Sequence, residues 1–275
     1  MITARNYAGQ VAKMLSKDLH MLNPMDPTPR RSLNGSPIPQ HVILAESFLV
    51  DILLKGIDKA VHFALPDEGR VIDDPNWKAL AEGGIRLPFP IITLEFYSAE
   101  EPSAKLLLLA NEAVKKELDS VVVTMFRKMG NQDEWQVMPR TPYIPMEGWR
   151  APGNNLWVAH DDHPLFKYLS DLGEISDELE EDLSGTLSYG LTVLIGFLNA
   201  LACSNVTPEV HQKANPDRNK KFHAGKSNKA PIYETKYLTV LVPGNERQDP
   251  KSYGTGSPKR EHLRRGHIRK LHNGK

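Results

Sequence analysis

The sequence contains a single cysteine among its 275 residues, which excludes an intramolecular disulfide framework. That cysteine, Cys203, lies in an apolar run, and we expect a small buried side chain rather than a reactive thiol. The chain does not open with a basic segment followed by an apolar one, so we expect no secretory signal. The most apolar stretch, 187–203, is interrupted by polar residues and glycines and is shorter than the roughly 20 residues that span a bilayer. We predict a buried helix there, no membrane partner and a cytoplasmic location.

Motifs that would assign a common enzyme class are also missing. The sequence has no phosphate-loop pattern, no dinucleotide-binding fingerprint, no paired-cysteine metal motif and no nucleophile elbow. These absences count against ATPase, oxidoreductase and hydrolase activities. We therefore predict no cofactor and no metal. The sequence favours a non-enzymatic role, and a ribonuclease is the candidate if the protein is an enzyme.

The run His160-Asp161-Asp162-His163 places four metal-ligand side chains next to one another. Imidazole and carboxylate groups suit zinc, manganese or iron. However, neighbouring residues of an extended chain point in opposite directions, so the four groups do not converge easily. Pro164 follows, and a polar residue before proline is the ordinary start of a helix. We favour a helix start over a metal site.

The formal net charge of zero conceals a strong separation of charge along the chain. From 211 to 275 there are 16 Lys and Arg against 5 Asp and Glu, a net charge of +11. The preceding 210 residues hold the remaining 18 basic and 29 acidic residues, a net charge of −11. This asymmetry predicts either a basic arm that binds nucleic acid or another polyanion, or an arm that folds back on the acidic body.

The periodicity of apolar residues predicts an α+β fold in which helices pack on an antiparallel sheet. We divide the chain into an N-terminal helix (1–22), a linker (23–40) with five prolines, an acidic α+β body (41–205) and a basic C-terminal module (206–275) that holds a strand and an incomplete hairpin. Proline-rich composition forbids a continuous helix in the linker, so the first helix is expected to dock loosely.

Within the body, helical spacing over 45–64 predicts one long helix whose core face includes Phe48 and Ile52. Short apolar runs at 91–97, 105–110, 119–127, 134–138 and 156–159 predict an antiparallel meander, while 111–118 fits either helix or strand. A helix from about 176 to 203 and a strand at 233–242 follow. The intervening polar segment, 205–230, is expected to be mobile or ordered only by contacts.

The last recognisable unit is 257–269, which reads Ser-Pro-Lys-Arg-Glu-His-Leu-Arg-Arg-Gly-His-Ile-Arg. Three interpretations stay open. The guanidinium groups of Arg264 and Arg265 can grip phosphate, supported by the charges of Lys259, Arg260 and Arg269. Alternatively, His262 and His267 can act as base and acid of a metal-independent ribonuclease. In the third interpretation both histidines are structural and the arginines are solvated.

The His-Leu-Arg-Arg-Gly-His run, after Pro-Lys-Arg and before the Asn-Gly turn at 273–274, resembles the C-terminal signature of a phage and plasmid family. The family includes a type V-A anti-CRISPR protein that lowers production of the CRISPR effector nuclease. The resemblance implies recognition of the effector's N-terminal segment during translation and loss of its messenger RNA. It implies a role for His262, Arg264, Arg265, Gly266 and His267, since these match the signature.

Glu95 is the remaining candidate site residue, and a carboxylate at its strand position also looks similar to the family. The alternation of Leu94, Glu95 and Phe96 favours a solvent-facing side chain, and a functional acid on a concave sheet is the alternative. Trp135, Trp149 and Trp157 lie in or near short strands. Core packing is favoured for them over stacking on nucleic-acid bases.

Together these observations predict a regulatory, anti-defence protein of a mobile element that acts in the host cytoplasm. Its body would bind a short peptide of a nascent host protein, and its basic tail would contact RNA or the ribosome. Two alternatives are kept: the ribonuclease that uses His262 and His267, and a phage structural or assembly protein with a nucleic-acid-binding arm.

Overall fold

The computed structural model describes residues 5–22, 30–32, 35–72, 85–98, 104–115, 118–130, 133–138, 141–145, 158–160, 163–172 and 177–240. The helices are α1 (Tyr7–Met21), α2 (Gln40–Lys59), α3 (Pro164–Asp171), α4 (Asp177–Leu201) and α5 (Pro216–His223). The strands are β1 (Val61–Ala64), β2 (Ile91–Tyr97), β3 (Lys105–Lys115), β4 (Leu118–Lys128), β5 (Gln136–Val137), β6 (Thr141–Pro145), β7 (Val158–His160), β8 (Val206–Gln212) and β9 (Thr235–Val240). In the described part of the chain, no helix is both long enough and apolar enough to cross a membrane.

The nine strands found among the described residues belong to one sheet, in the order β7-β6-β4-β3-β2-β1-β9-β8, with β5 also paired to β4. The strands β2, β3 and β4 form the predicted antiparallel meander, and the α+β prediction is confirmed. However, β1 pairs in parallel with β2 on one side and with β9 on the other. Parallel pairs need long crossover connections, so the centre of the sheet is built from segments far apart in sequence.

Helices cover both faces of the central strands. On β3, the buried side chains of Leu106 and Leu108 belong to the core cluster that includes α4, whereas Leu107 and Leu109 belong to the cluster that includes α1 and α2. A strand that is buried on both faces reads as a continuous apolar run instead of an alternating one. The run of four leucines is therefore what a three-layer arrangement, helix on sheet on helix, requires.

The predicted helix over 45–64 is wrong at its C-terminal end and on its predicted face. Helix α2 ends at Lys59, and 61–64 forms strand β1. Phe48 and Ile52, expected in the core, are exposed. The buried positions are instead Val42, Ile43, Glu46, Val50, Leu53 and Ile57. The C-terminal end was mispredicted because the strands that pair with β1, which are β2 and β9, are distant from it in sequence.

Two other ambiguous segments are resolved by the sheet. The stretch 111–118 is strand, since β3 continues to Lys115 and β4 begins at Leu118. The polar segment 205–230 contains strand β8 and helix α5. The first part of the predicted basic module, 206–240, is thus an integral part of the sheet. The predicted buried helix is found as α4, with Leu187, Leu191, Leu194 and Phe197 fully buried.

Helix α1 is fixed to the sheet at its N-terminus rather than loosely docked. Arg5 Nη1 donates to the carbonyl oxygens of Leu65 (2.8 Å) and Glu95 (3.1 Å). Asn6 Nδ2 donates to the carbonyl oxygen of Pro231 at 2.9 Å. The start of the chain therefore contacts β2, the end of β1 and the segment that leads into β9.

Trp135 packs in the core, as expected. Its indole Nε1 donates to Gln10 Oε1 at 3.1 Å, and its ring lies 5.4 Å from that of Tyr7. The buried ring is therefore not available to stack on a base. Trp149 and Trp157 lie outside the described residues.

Candidate functional site

The basic unit at 257–269, which we call the tail motif, lies outside the described residues. This applies to His262, His267 and the basic residues proposed to contact phosphate, which are Lys259, Arg260, Arg264, Arg265 and Arg269. Their roles stay predictions. The described part of the basic module is 206–240, and it supplies a second basic segment around α5.

Helix α5 is short, but its ends are well capped. The side-chain oxygen of Asn215 accepts a hydrogen bond from the backbone N–H of Arg218 at 3.0 Å, and Pro216 occupies the first helical position. At the other end, Gly225 has φ +66°, and the N–H of Lys226 donates to Lys221 O at 2.8 Å. This is the glycine-terminated helix end in which the carbonyls of the last turn are satisfied. The eight-residue helix therefore has defined boundaries.

The inner face of α5 is attached to the backbone that leads into β9. Asn219 uses both side-chain groups: its Nδ2 donates to Ile232 O at 2.9 Å, and its Oδ1 accepts from Ile232 N–H at 2.7 Å. Arg218 Nε donates to Ala230 O at 2.5 Å, while Phe222 is buried. These contacts hold the helix in one orientation, and they leave the remaining side chains of α5 for the surface.

The outer face of this segment is basic. Lys220, Lys221, Lys226 and Lys229 are all exposed, and the sixteen residues 218–233 contain no Asp or Glu. Within the described residues, no ion pair joins any of these four ammonium groups to a carboxylate. The segment thus presents four solvated positive charges on a fixed backbone.

A shared carboxylate joins α5 to the end of α2. The hydroxyl of Tyr233 donates to Asp58 Oδ1, and Nδ1 of His223 lies 3.6 Å from Asp58 Oδ2. The Tyr233 ring stacks on His62 at 4.6 Å between centroids, and burial raises the pKa of the Tyr233 hydroxyl. Helix α5, the end of α2 and the segment before β9 therefore meet at the Asp58 carboxylate.

His62 lies inside the sheet layer, where its Nδ1 is 2.7 Å from the hydroxyl of Thr93. Burial lowers the pKa of His62 to about 4 because the charged imidazolium would lose its hydration. This neutral histidine is a structural group at neutral pH.

Glu95 does not face solvent, which corrects the expectation drawn from alternation. Its carboxyl is 1% exposed, because α1 covers this face of β2. Glu95 Oε1 accepts a hydrogen bond from the backbone N–H of Ala8 at 2.8 Å. Burial raises the pKa of Glu95 to about 7, and the first-turn amides of α1 and the charge of Arg5 oppose that shift. The geometry makes Glu95 an anchor for α1, out of reach of an external ligand.

Helix α2 carries an exposed apolar stripe. Leu44, Phe48 and Ile52 are spaced four residues apart and are 48%, 67% and 47% exposed. Residues at this spacing lie one above another on the same helix face. Large side chains in such a row are typical of a protein-contact surface. We refer to these three residues as the α2 stripe.

The His-Asp-Asp-His run is only partly within the described residues. His163 Nε2 lies 3.2 Å from Glu46 Oε1 on α2, and Pro164 begins α3. The pair therefore joins α3 to α2. In the part of the chain that the structure describes, no three His, Cys, Asp or Glu side chains come together in a way that could hold a metal ion.

Sequence reasoning missed α5 as a site because its low apolar content favoured a mobile segment. The signals were nevertheless present: Asn215 before Pro216 is a helix start, Asp217 is favourable in the first turn, and Gly225 is a helix end.

Comparison of the chain with protein-family models, curated proteins and solved structures gives no match.

Proposed function

We propose that this protein is a regulatory, anti-defence protein of a phage or plasmid that contacts RNA through its basic C-terminal residues and a short nascent peptide through its body. The observation that carries the proposal is the separation of charge, net −11 over 1–210 and +11 over 211–275. The positive charge of 211–275 attracts a polyanionic partner, and the negative charge of 1–210 repels it. The family resemblance of the tail supplies the biological setting: repression of an effector while it is being translated.

Support for an RNA partner comes from the basic residues of both parts of the C-terminal segment. The signature at 262–267 contributes paired guanidinium groups, which match phosphate geometry. The exposed lysines around α5 add charge on a fixed backbone. A partner held through phosphates is released by salt, because binding displaces condensed counterions.

Support for a peptide partner comes from the α2 stripe. Exposed apolar side chains in one row offer contact area to apolar residues of a peptide, and Phe48 contributes the largest of them. Buried Glu95 takes no part in this contact, since its carboxyl is enclosed by α1.

The RNA half of the proposal is tested with purified protein and labelled RNA in EDTA, scored for both retention and cleavage. We expect retention that weakens with salt, no cleavage, and weaker retention for Arg264→Ala. Retention that does not depend on salt, or none at all, would contradict an RNA-binding tail. Cleavage that disappears in His267→Ala would identify the ribonuclease alternative instead.

The regulatory half is tested by cell-free translation of two reporter messages, one with and one without the N-terminal segment of a type V-A effector nuclease. We expect the protein to reduce only the message that carries this segment, and only while it is translated. Phe48→Gln should abolish the reduction, and Leu44→Gln should weaken it. Equal loss of both messages would contradict peptide recognition.

A further inference from the structure

We infer that the outer face of α5 and the turn after it, formed by Lys220, Lys221, Lys226 and Lys229, is a phosphate-binding surface for single-stranded RNA, separate from the tail motif. We call these residues the α5 lysine surface. The inference rests on the proposed function for its RNA setting. It adds a binding site within the sheet-bearing part of the chain, where the tail signature plays no part.

The first argument is the division of roles within the segment. Side chains that face inward are engaged with the protein: Arg218 with Ala230 O, Asn219 with the backbone of Ile232, and Phe222 with the core. The four lysines face outward and have no ion pair with a described carboxylate. Two exposed lysines of the body are paired, Lys17 with Glu134 and Lys55 with Asp51. Exposed Lys13 and Lys167 have no ion pair with a described carboxylate either, so what sets the α5 lysines apart is their clustering on one anchored segment.

The second argument is rigidity. The backbone around α5 is held by caps at both ends, by the Asn219 contacts, and by the Asp58 carboxylate that binds Tyr233 and lies beside His223. A charged surface that is already ordered loses less entropy when it binds. A flexible basic loop would instead have to be ordered at the cost of affinity.

The third argument concerns the kind of partner. Lysine is a compact, hydrated point charge that binds a phosphate oxygen without the planar, bidentate geometry that a guanidinium requires. The surface holds no arginine on its outer face, since Arg218 donates inward. The choice of a phosphate backbone over an acidic peptide rests on the proposed function, and polyglutamate is the competitor that tests it. Phosphate contacts position a nucleic acid without reading its bases, so we expect little sequence specificity.

A simpler explanation is that the lysines only stabilise the negative end of the helix dipole. Lys220 and Lys221 lie in the last turn of α5, where positive charge is favourable. Lys226 and Lys229 lie beyond the helix end, so this effect does not account for them. Measurements of stability and of binding on the same variants separate the two roles.

The test uses the full chain and three variants. The first changes Lys220, Lys221, Lys226 and Lys229 to Gln, which removes four charges and keeps good helix formers. The matched control changes Lys13, Lys17, Lys55 and Lys167 to Gln, four exposed lysines of α1, α2 and α3. The third is Arg264→Ala with Arg265→Ala. Affinity for a labelled single-stranded RNA is measured between about 50 and 200 mM salt.

We expect the α5 variant to bind about tenfold or more weakly at low salt, with a log–log salt slope shallower by roughly 0.7 for each phosphate that the variant no longer binds. The control should bind like the unaltered chain, and thermal unfolding should show that the α5 variant is folded. Equal affinity for single-stranded DNA and single-stranded RNA would still support a phosphate-binding surface, because both backbones carry phosphates. Preference for polyglutamate over both nucleic acids would overturn the inference.

The outcomes distinguish this inference from the proposed function. If the α5 variant binds RNA like the unaltered chain while the tail variant does not, the α5 lysine surface is refuted and the tail proposal stands. If the α5 variant and the control weaken equally, the effect is one of net charge, and the surface is again refuted. If the unaltered chain retains no RNA, both this inference and the RNA half of the proposed function fail.

Discussion

The carboxyl of Glu95 on β2 accepts a hydrogen bond from the backbone N–H of Ala8, in the first turn of α1. A carboxyl oxygen in this position satisfies an amide that has no partner within the helix. The cap is supplied by a residue 87 positions away in sequence. It therefore orders α1 on the sheet rather than stabilising the helix alone.

Replacement of Glu95 by Gln should change the pH dependence of stability. The folded-state pKa of about 7 lies above the ordinary value of 4.5, so the native protein binds a proton more tightly than the unfolded chain does. The contribution of Glu95 is fully present below about 4.5 and is lost as the pH rises through about 7. From pH 5 to pH 8, Glu95→Gln should gain stability relative to the unaltered chain by on the order of 3 kcal/mol. Chemical denaturation at both values measures this, with exposed Glu234→Gln as the control.

Replacement of His62 by Phe should protect the fold against acid. The folded-state pKa of about 4 lies below the ordinary value of 6.5, so the unfolded chain binds the proton more tightly. The stability associated with neutral His62 is present above about 6.5 and is lost as the pH falls toward 4. Phe keeps a ring to stack on Tyr233 but cannot be protonated. The variant should lose less stability than the unaltered chain between pH 6.5 and pH 4.5, and an equal loss would refute this account.

Three glycines should respond to Ala in different ways. A β-carbon at Gly9 would lie 2.0 Å from Pro231 O, so α1 would have to shift, whereas one at Gly190 would meet the flexible Met125 side chain at 2.2 Å. Gly185 on α4 has nothing within 4 Å. We expect Gly9→Ala to lose about 2 kcal/mol or more, Gly190→Ala to lose less, and Gly185→Ala to gain about 0.5–1 kcal/mol from helix propensity. The midpoints of chemical denaturation of the three variants should rise in the order Gly9→Ala, Gly190→Ala, Gly185→Ala.

Removal of the Asn219 side chain should release α5 from the sheet without altering its charge. Asn219→Ala removes the described partner of the Ile232 N–H, at a cost of about 1–3 kcal/mol, while the Ile232 carbonyl keeps its hydrogen bond from the Asn215 N–H. Hydrogen exchange at the Ile232 amide should become faster, while amides of β3 should be unaffected. The neighbouring exposed Asn228→Ala should leave exchange unchanged. Protection of Ile232 that survives Asn219→Ala would show that other contacts hold the segment.

The α2 stripe should contribute little to stability. Phe48 is 67% exposed and Leu53 on the same helix is 5% exposed. We expect Phe48→Gln to change the free energy of unfolding by less than about 0.5 kcal/mol, and Leu53→Ala to reduce it by about 2–5 kcal/mol. Urea denaturation checks both. A large loss for Phe48→Gln would place that ring in the fold rather than at a contact surface.

Local patterns predicted the parts of the fold that local interactions decide. The meander of β2, β3 and β4 follows from consecutive β-branched and apolar runs, and α4 follows from its long apolar period. Strand β1 was missed because 61–64 continues the apolar period of α2 in sequence, and only the distant partners β2 and β9 make it a strand. Glu95 was placed toward solvent for the same reason: alternation says nothing about whether a remote helix covers the face.

The candidate site was predictable in charge but not in form. The excess of lysine and arginine after 211 is plain from composition. Which of these side chains face outward depends on Arg218 and Asn219, whose inward contacts with 230–232 are a property of the folded chain. A helix with capping residues but few apolar ones is stabilised by such side-chain contacts, and hydrophobic periodicity does not detect them.

The central position of β1 also bears on how the chain is made. Synthesis proceeds from the N-terminus, yet one edge of β1 receives its partner only when β9 has emerged, and Asn6 meets Pro231 equally late. Pairings at such sequence separation give a high contact order and slow folding, and an unpaired strand edge invites aggregation meanwhile. A chain that stopped at 205 would leave β1 unpaired on that side, so the basic segment must be synthesised before the sheet can be completed.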